Sequence, residues 1–460
     1  MIPIYKIDSL ILFIGSIIFI GSLEATLTTF DPSVGGASSD GNLNIQLTTG
    51  FIYASIFGLI LIRLERFLPF FSKNLILMAF LFIPIISVAW SVSPDATLRR
   101  GIALIGSSFF AIYIAYAVPP ERVLRILATA YALTAGASLI LIVLLPAYGT
   151  HQFGEYAGLW RGVFSSKNEL GATMAMGIIL LFICPTNSSK ERLLSRFTII
   201  LCFLMLIMSE SRTAWVSLVT VGMIALALQK VSGRGIKTAF RTVIFAVIAV
   251  ASIAGIAKYS EEILDLMGKD PTLTGRTGVW EVAIERAMER PLLGYGYRAY
   301  WTPENKKRLK PTEDWSDSIG HAHNTYIDLM VELGFLGIFA FLFLFSILIF
   351  RMTQRLMEHR DVINIWAISC ISFIMIRGTT EATILQHADI NWIYFVYFFA
   401  LYTSLKQSSV RKEPVLFGSK LPASQANLGS VLTMRAGDLV RKPQMQEEPE
   451  PLMPGLRDGH

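Results

Sequence analysis

Stretches of about 20 apolar residues, the length that crosses a bilayer as a helix, recur twelve times along this chain, near 9–26, 45–62, 74–91, 101–118, 126–146, 171–185, 197–209, 213–229, 242–257, 335–350, 362–377 and 391–405. In lipid every backbone N–H and C=O must be satisfied within the segment, so runs of this length are expected as helices. Composition agrees. Of 460 residues only 16% are charged and 53% are hydrophobic, whereas a soluble domain is about a quarter charged. The sequence therefore predicts an all-α polytopic membrane protein with about 12 transmembrane helices. Runs 197–209 and 213–229 are separated only by Ser209-Glu210-Ser211-Arg212-Thr213. Joined, they would overrun a hydrocarbon core of about 30 Å, so two spans are expected.

Other classes are disfavoured. Cys184, Cys202 and Cys370 all lie inside apolar runs, which leaves neither a disulfide framework nor a CxxC metal pattern. The formal charge is +6, but the basic residues are scattered rather than clustered with aromatics, which argues against nucleic acid. The run Leu10–Leu23 lacks a small-x-small cleavage site and reads as a first span that stays.

Charge sets the expected orientation. With the N-terminus inside, the short inner loops and leader hold 16 Lys/Arg and the short outer segments six. This positive-inside bias places both termini in the cytoplasm. The expected organisation is a bundle over 1–257, a long outer loop over 258–334, three further spans over 335–405 and a disordered cytoplasmic tail over 406–460, rich in Pro, Gln, Glu and Lys. Long ordered loops in compact proteins are usually functional, which directs attention to 258–334.

Within that loop, Gly275-Arg276-Thr277-Gly278-Val279-Trp280-Glu281 opens a helix that Pro291 stops, with Val279, Trp280, Ala283, Ile284 and Ala287 expected on one face. Arg276 falls at its N-terminal end, where free N–H groups already favour an anion. A guanidinium fork there matches phosphate oxygens; stacking on Trp280 is the plainer alternative. Further on, Asn324 is the expected N-cap of a second short helix that runs through Glu332-Leu333-Gly334 into the tenth span. This leaves His323 at the helix mouth, able to take a proton from a hydroxyl, or else to act as an ordinary hydrogen-bonded histidine. His321-x-His323 has no assignable third ligand, so no metal is expected.

Arg212 opens the eighth span, and Arg161 and Lys167 precede the sixth. An arginine at membrane depth is costly unless it snorkels or meets an anion. Several cations and one accessible histidine thus gather on one side of a bundle, an arrangement suited to a lipid-linked pyrophosphate.

At this point the chain resembles the bacterial O-antigen ligases and O-antigen or exopolysaccharide polymerases. The signposts are Gly162-Val163-Phe164-Ser165-Ser166-Lys167-Asn168-Glu169-Leu170-Gly171, Ser211-Arg212-Thr213, Gly275-Arg276 with Trp280, Pro291-Leu292-Leu293-Gly294-Tyr295-Gly296, and His323-Asn324 followed by Glu332-Leu333-Gly334. The overall look is similar to succinoglycan-type exopolysaccharide polymerases. The resemblance implies a GT-C-like, metal-independent glycosyltransferase of the inner membrane, with no cofactor and an active site on the periplasmic side, the family's long periplasmic loop corresponding to 258–334. Its donor would be a saccharide on undecaprenyl pyrophosphate. By motif, Arg212 and Arg276 correspond to the pyrophosphate-binding arginines, with Arg161 as a further candidate, and His323 to the base. Lys167, Asn168, Trp280, His321, Asn324 and Glu332 are expected in support. Membrane lipids are expected partners, and a chain-length regulator or export machinery is a further candidate. The shared motifs do not separate polymerase from ligase. The rivals are a transporter or flippase, which would place charges near mid-bilayer and show repeated halves, and a non-catalytic assembly component.

Overall fold

The computed structural model describes residues 4–21, 43–230, 276–301, 320–359 and 361–404. The expected ninth span, 242–257, and the tail from 405 lie outside these residues. What is described is helical, without strands; one isolated bridge joins Thr150 to Trp160. In order come α1 (Ile4–Phe19), α2 (Leu43–Ile62), α3 (Leu64–Phe71), α4 (Leu75–Ile86), α5 (Pro94–Ala117), α6 (Pro120–Leu144), α7 (Lys167–Ile183), α8 (Ser189–Ser209), α9 (Arg212–Lys230), α10 (Arg276–Glu289), α11 (Thr325–Glu358), α12 (Val362–Arg377) and α13 (Ile390–Ser404). Six segments are long and apolar enough to cross a membrane: α2, the α3–α4 region to Trp90, α5, α6, α8 and α11. Each expected run other than 242–257 overlaps a described helix. The protein is a polytopic membrane protein.

The helix ends follow local chemistry. Ser166 and Ser188 cap α7 and α8 by accepting the N–H groups of Glu169 and Glu191 at 3.2 and 3.1 Å, the capping-box spacing of Ser and Glu. Glu210 takes a left-handed conformation, φ 48°, and ends α8 before Arg212 starts α9. The run is therefore divided into two helices at the polar break. Within α11 the backbone leaves helical geometry at Gly334, φ 62° and ψ −157°, so a short leading helix and a long apolar one meet there as expected.

α13 occupies the centre of the bundle. Every residue from Ile390 to Tyr402 is buried, and a helix apolar all round needs protein on all sides. Trp392 and Tyr394 point at neighbouring helices; Trp392 Nε1 donates to Ser108 Oγ at 3.0 Å and Tyr394 Oη to Tyr131 Oη at 3.3 Å. Asp8, on α1, is pinned by Arg63 Nη2 at 3.0 Å and Tyr113 Oη at 2.7 Å.

The segment after α10 joins the leading part of α11 backbone to backbone. Tyr295 N–H donates to Val331 O and Gly296 N–H to Glu332 O, both at 2.9 Å, while Phe335 and Leu336 N–H return to Pro291 O at 2.7 Å and Leu292 O at 3.1 Å. Gly294 and Gly334, both at positive φ, make this approach possible: a Cβ on Gly294 would come within 2.6 Å of Glu332 backbone, and one on Gly334 within 2.5 Å of Leu292 backbone. Two of the sequence signposts are thus halves of one joint.

Candidate functional site

At one end of the bundle, the loop before α11, the start of α7 and the connector after α12 converge. α10 buries Val279, Ala283 and Ala287 against Tyr295, Tyr300, Trp301, Ala322 and Val331. Ile284, expected on the same face, is instead 44% exposed, because the packed stripe runs through positions 279, 283 and 287 and turns the neighbouring position outward. Trp280 Nε1 donates to Ala322 O at 2.8 Å. Asp328 Oδ1 accepts from Ala322 N–H at 2.8 Å and from Trp301 Nε1 at 3.0 Å. Both polar groups of the Ala322 backbone are therefore satisfied, and the residues on either side, His321 and His323, are held in place.

His323 sits at φ 50°. Asn324 behind it is the N-cap, its side-chain oxygen accepting from Tyr326 and Ile327 N–H at 3.0 and 3.3 Å. His323 N–H donates to His321 Nδ1 at 3.0 Å. His323 Nδ1 lies 2.9 Å from Glu381 Oε2; the histidine side chain is 31% exposed and the glutamate 15%. On its other oxygen Glu381 accepts from Asn168 Nδ2 at 3.4 Å.

Glu381 did not stand out in the sequence. Its segment is bolted to the start of α11: Thr325 N–H donates to Gly378 O at 2.8 Å, Thr325 Oγ1 to Glu381 O at 3.0 Å, and Asn324 Nδ2 to Thr379 O at 3.2 Å. The available signal was an acid just past the C-terminal end of an apolar run, four residues after Arg377, a position where an ionisable residue needs a reason. Arg377 ends α12, and its charge acts on Glu169 and Asp389. Together with Asn168, Ser211, Thr213, Ser217 and Glu381 it lines a small cavity.

The other expected site residues are placed as follows. Arg212 begins α9 next to Ser211 and is exposed. Arg276 is the first residue of α10; its side chain lies outside the described part. Arg161 turns back into its own loop, Nε donating to Tyr148 O at 3.0 Å. Lys167 Nζ lies over the Tyr156 ring at 4.4 Å, and its N–H donates to His151 Nε2 at 3.1 Å. His151, unremarked in the sequence, is lowered from 6.5 to about 4 by burial and by the charges of Arg161 and Lys167. Glu332 is buried, and its carbonyl accepts from Gly296. So His323, His321 and Asn168 come together around Glu381, with Asn324 bonded to its segment and Trp280 to the Ala322 backbone between the histidines, whereas Arg161 and Lys167 gather around His151.

A family model described as O-antigen ligase matches residues 197–342. That stretch of the chain is similar to the O-antigen ligases. The matched range takes in Arg212, α10 and the His323 loop, while Asn168 and Glu381 lie outside it. Over 355 residues, 73% of this chain and 79% of the relative, the sequence is 28% identical to the exopolysaccharide production protein ExoQ of Rhizobium meliloti (strain 1021). This similarity is much longer than the range 197–342.

Proposed function

We propose that this protein is a membrane glycosyltransferase that polymerises undecaprenyl-pyrophosphate-linked oligosaccharide repeat units into exopolysaccharide at the periplasmic face of the bacterial inner membrane. Both termini are then cytoplasmic. The observation that carries this reading is the His323–Glu381 contact of 2.9 Å at one end of an apolar bundle, beside the helix that Arg212 opens. The likeness to an exopolysaccharide production protein favours polymer synthesis.

A carboxylate only accepts hydrogen bonds. With Glu381 on Nδ1, the imidazole proton sits there and Nε2 keeps its lone pair. The hydroxyl of the acceptor sugar loses its proton to Nε2 as its oxygen bonds to the anomeric carbon of the donor. The bond from that carbon to the pyrophosphate oxygen breaks, and the electron pair leaves with the lipid pyrophosphate. Arg212 and Arg276 hold the pyrophosphate and stabilise its growing charge; Arg161 adds positive charge from its loop. Glu381 stabilises the imidazolium until the proton passes to solvent. The leaving group is already activated, so neither nucleotide nor metal enters the reaction.

The O-antigen ligase description of the matched family favours a second reading, transfer of lipid-linked polysaccharide to lipid A-core. The acceptor separates the two. Purified protein given only the lipid-linked repeat makes products in multiples of that repeat if it is a polymerase. If it is a ligase, it forms product only once lipid A-core is added. Inactivity under both conditions with cognate donor would sink both readings and favour transport or scaffolding.

A further inference from the structure

From the sequence alone His321-x-His323 lacked a third ligand; the fold brings Glu381 to it. Nitrogen and oxygen atoms of His321, His323 and Glu381 lie within 4.8 Å of one another. The two imidazole rings are 4.1 Å apart between centroids, tilted by 52°, and His323 Nδ1 already faces Glu381 Oε2 at 2.9 Å. We infer that this triad is a binding site for a divalent transition metal, zinc first among them, and that the ion inhibits the protein.

Two histidines and a glutamate make up a common catalytic zinc ligand set, which leaves a fourth position open. With bonds of about 2.0–2.1 Å, tetrahedral ligand atoms sit about 3.3 Å apart. The His323–Glu381 pair needs only a few tenths of an ångström of adjustment, with the ion taking the place of the shared proton. His321 must close the rest, up to about 1.5 Å from the 4.8 Å limit, by rotating about its side-chain bonds. All three side chains are partly exposed, so an ion can reach them from the aqueous side. The surroundings fit a metal site: Asn168 Nδ2 holds the other Glu381 oxygen, and Trp280 with Asp328 fixes the Ala322 backbone between the histidines. Outer partners of this kind orient metal ligands. Nitrogen-rich sets select zinc, copper or nickel over magnesium or calcium, whose sites are built from oxygen. Inhibition rests on the proposed base role of His323, since an ion on its imidazole removes the group that takes the proton. Binding rests on the three side chains alone.

The test is direct zinc binding by protein in lipid nanodiscs, without a polyhistidine tag, in competition with a chromophoric chelator. Wild type is expected to withdraw one zinc per chain, and His321→Ala and Glu381→Gln to weaken that site at least tenfold. His359→Ala, away from the triad, should leave it unchanged. Absence of a wild-type site, or equal affinity in both triad variants, overturns the inference. Should a triad variant fail to insert, the cobalt absorption spectrum of wild type decides. Intense bands of four- or five-coordinate cobalt at one equivalent are expected, and the weak spectrum of hydrated cobalt alone would overturn the site. Binding is read without activity, so its outcome is separate from that of the proposed reaction.

Discussion

His323 Nδ1 and Glu381 Oε2 lie 2.9 Å apart although 58 residues of chain separate them. If the glutamate holds the imidazole tautomer with Nε2 free, Glu381→Gln removes both that preference and the support for imidazolium. Turnover should fall at least about tenfold, and by no more than the whole contribution of a general base, about 10²–10⁴, with little change in apparent donor affinity. Rates measured at saturating and limiting donor check this. A change confined to KM would assign Glu381 to substrate binding instead.

The joint between Gly294 and Gly334 makes a stability prediction. In Gly334→Ala a Cβ meets Leu292 backbone at 2.5 Å, at φ 62° and ψ −157°. Backbone strain of this kind costs about 1–3 kcal/mol, and relief of the clash would separate α10 from α11. Thermal unfolding in detergent should show a clear drop in Tm, whereas Gly278→Ala, where nothing lies within 4 Å of a Cβ, should behave like wild type.

Trp280 acts on the histidines through the backbone. Trp280→Phe keeps an aromatic side chain but loses the 2.8 Å bond to Ala322 O, a buried group then left short of a partner, at about 1–3 kcal/mol. Turnover should fall while the protein remains folded and inserted. Unchanged turnover would mean that Asp328 alone positions the loop.

The bundle itself was readable in the sequence, because a lipid solvent leaves few options: apolar runs marked the spans, Asn324 declared itself as a cap, and the polar break before Arg212 was visible. Glycine motifs were legible as signposts but not as a joint, since the contact between Gly294 and Gly334 needs the fold to bring two distant segments together. Glu381 was hidden for the same reason. Its connector has neither apolar period nor motif, and its meaning comes wholly from His323 and Asn168. Arg161 was visible as a charge, but only the loop geometry reveals that its Nε is engaged by Tyr148. Ile284 was misplaced because a helical face inferred from spacing is broader than the stripe that packs.

His151 gives a pH dependence. Its folded value of about 4 lies below its ordinary 6.5, so between these values the unfolded chain binds the proton that the folded chain refuses. Stability then decreases as pH falls from about 6.5 towards 4 and is unaffected above that window. In His151→Gln the Tm should depend less on pH across this window; an unchanged slope would mean that other groups carry the acid sensitivity.

The central claim is tested by polymer synthesis itself. Wild type and His323→Ala, each purified into a bilayer, are given undecaprenyl-pyrophosphate-linked repeat units as both donor and acceptor, with chelator present, and the products are resolved by size. The account predicts a ladder in multiples of the repeat from wild type and almost none from an equally well inserted His323→Ala. A ladder of wild-type intensity from His323→Ala would contradict it.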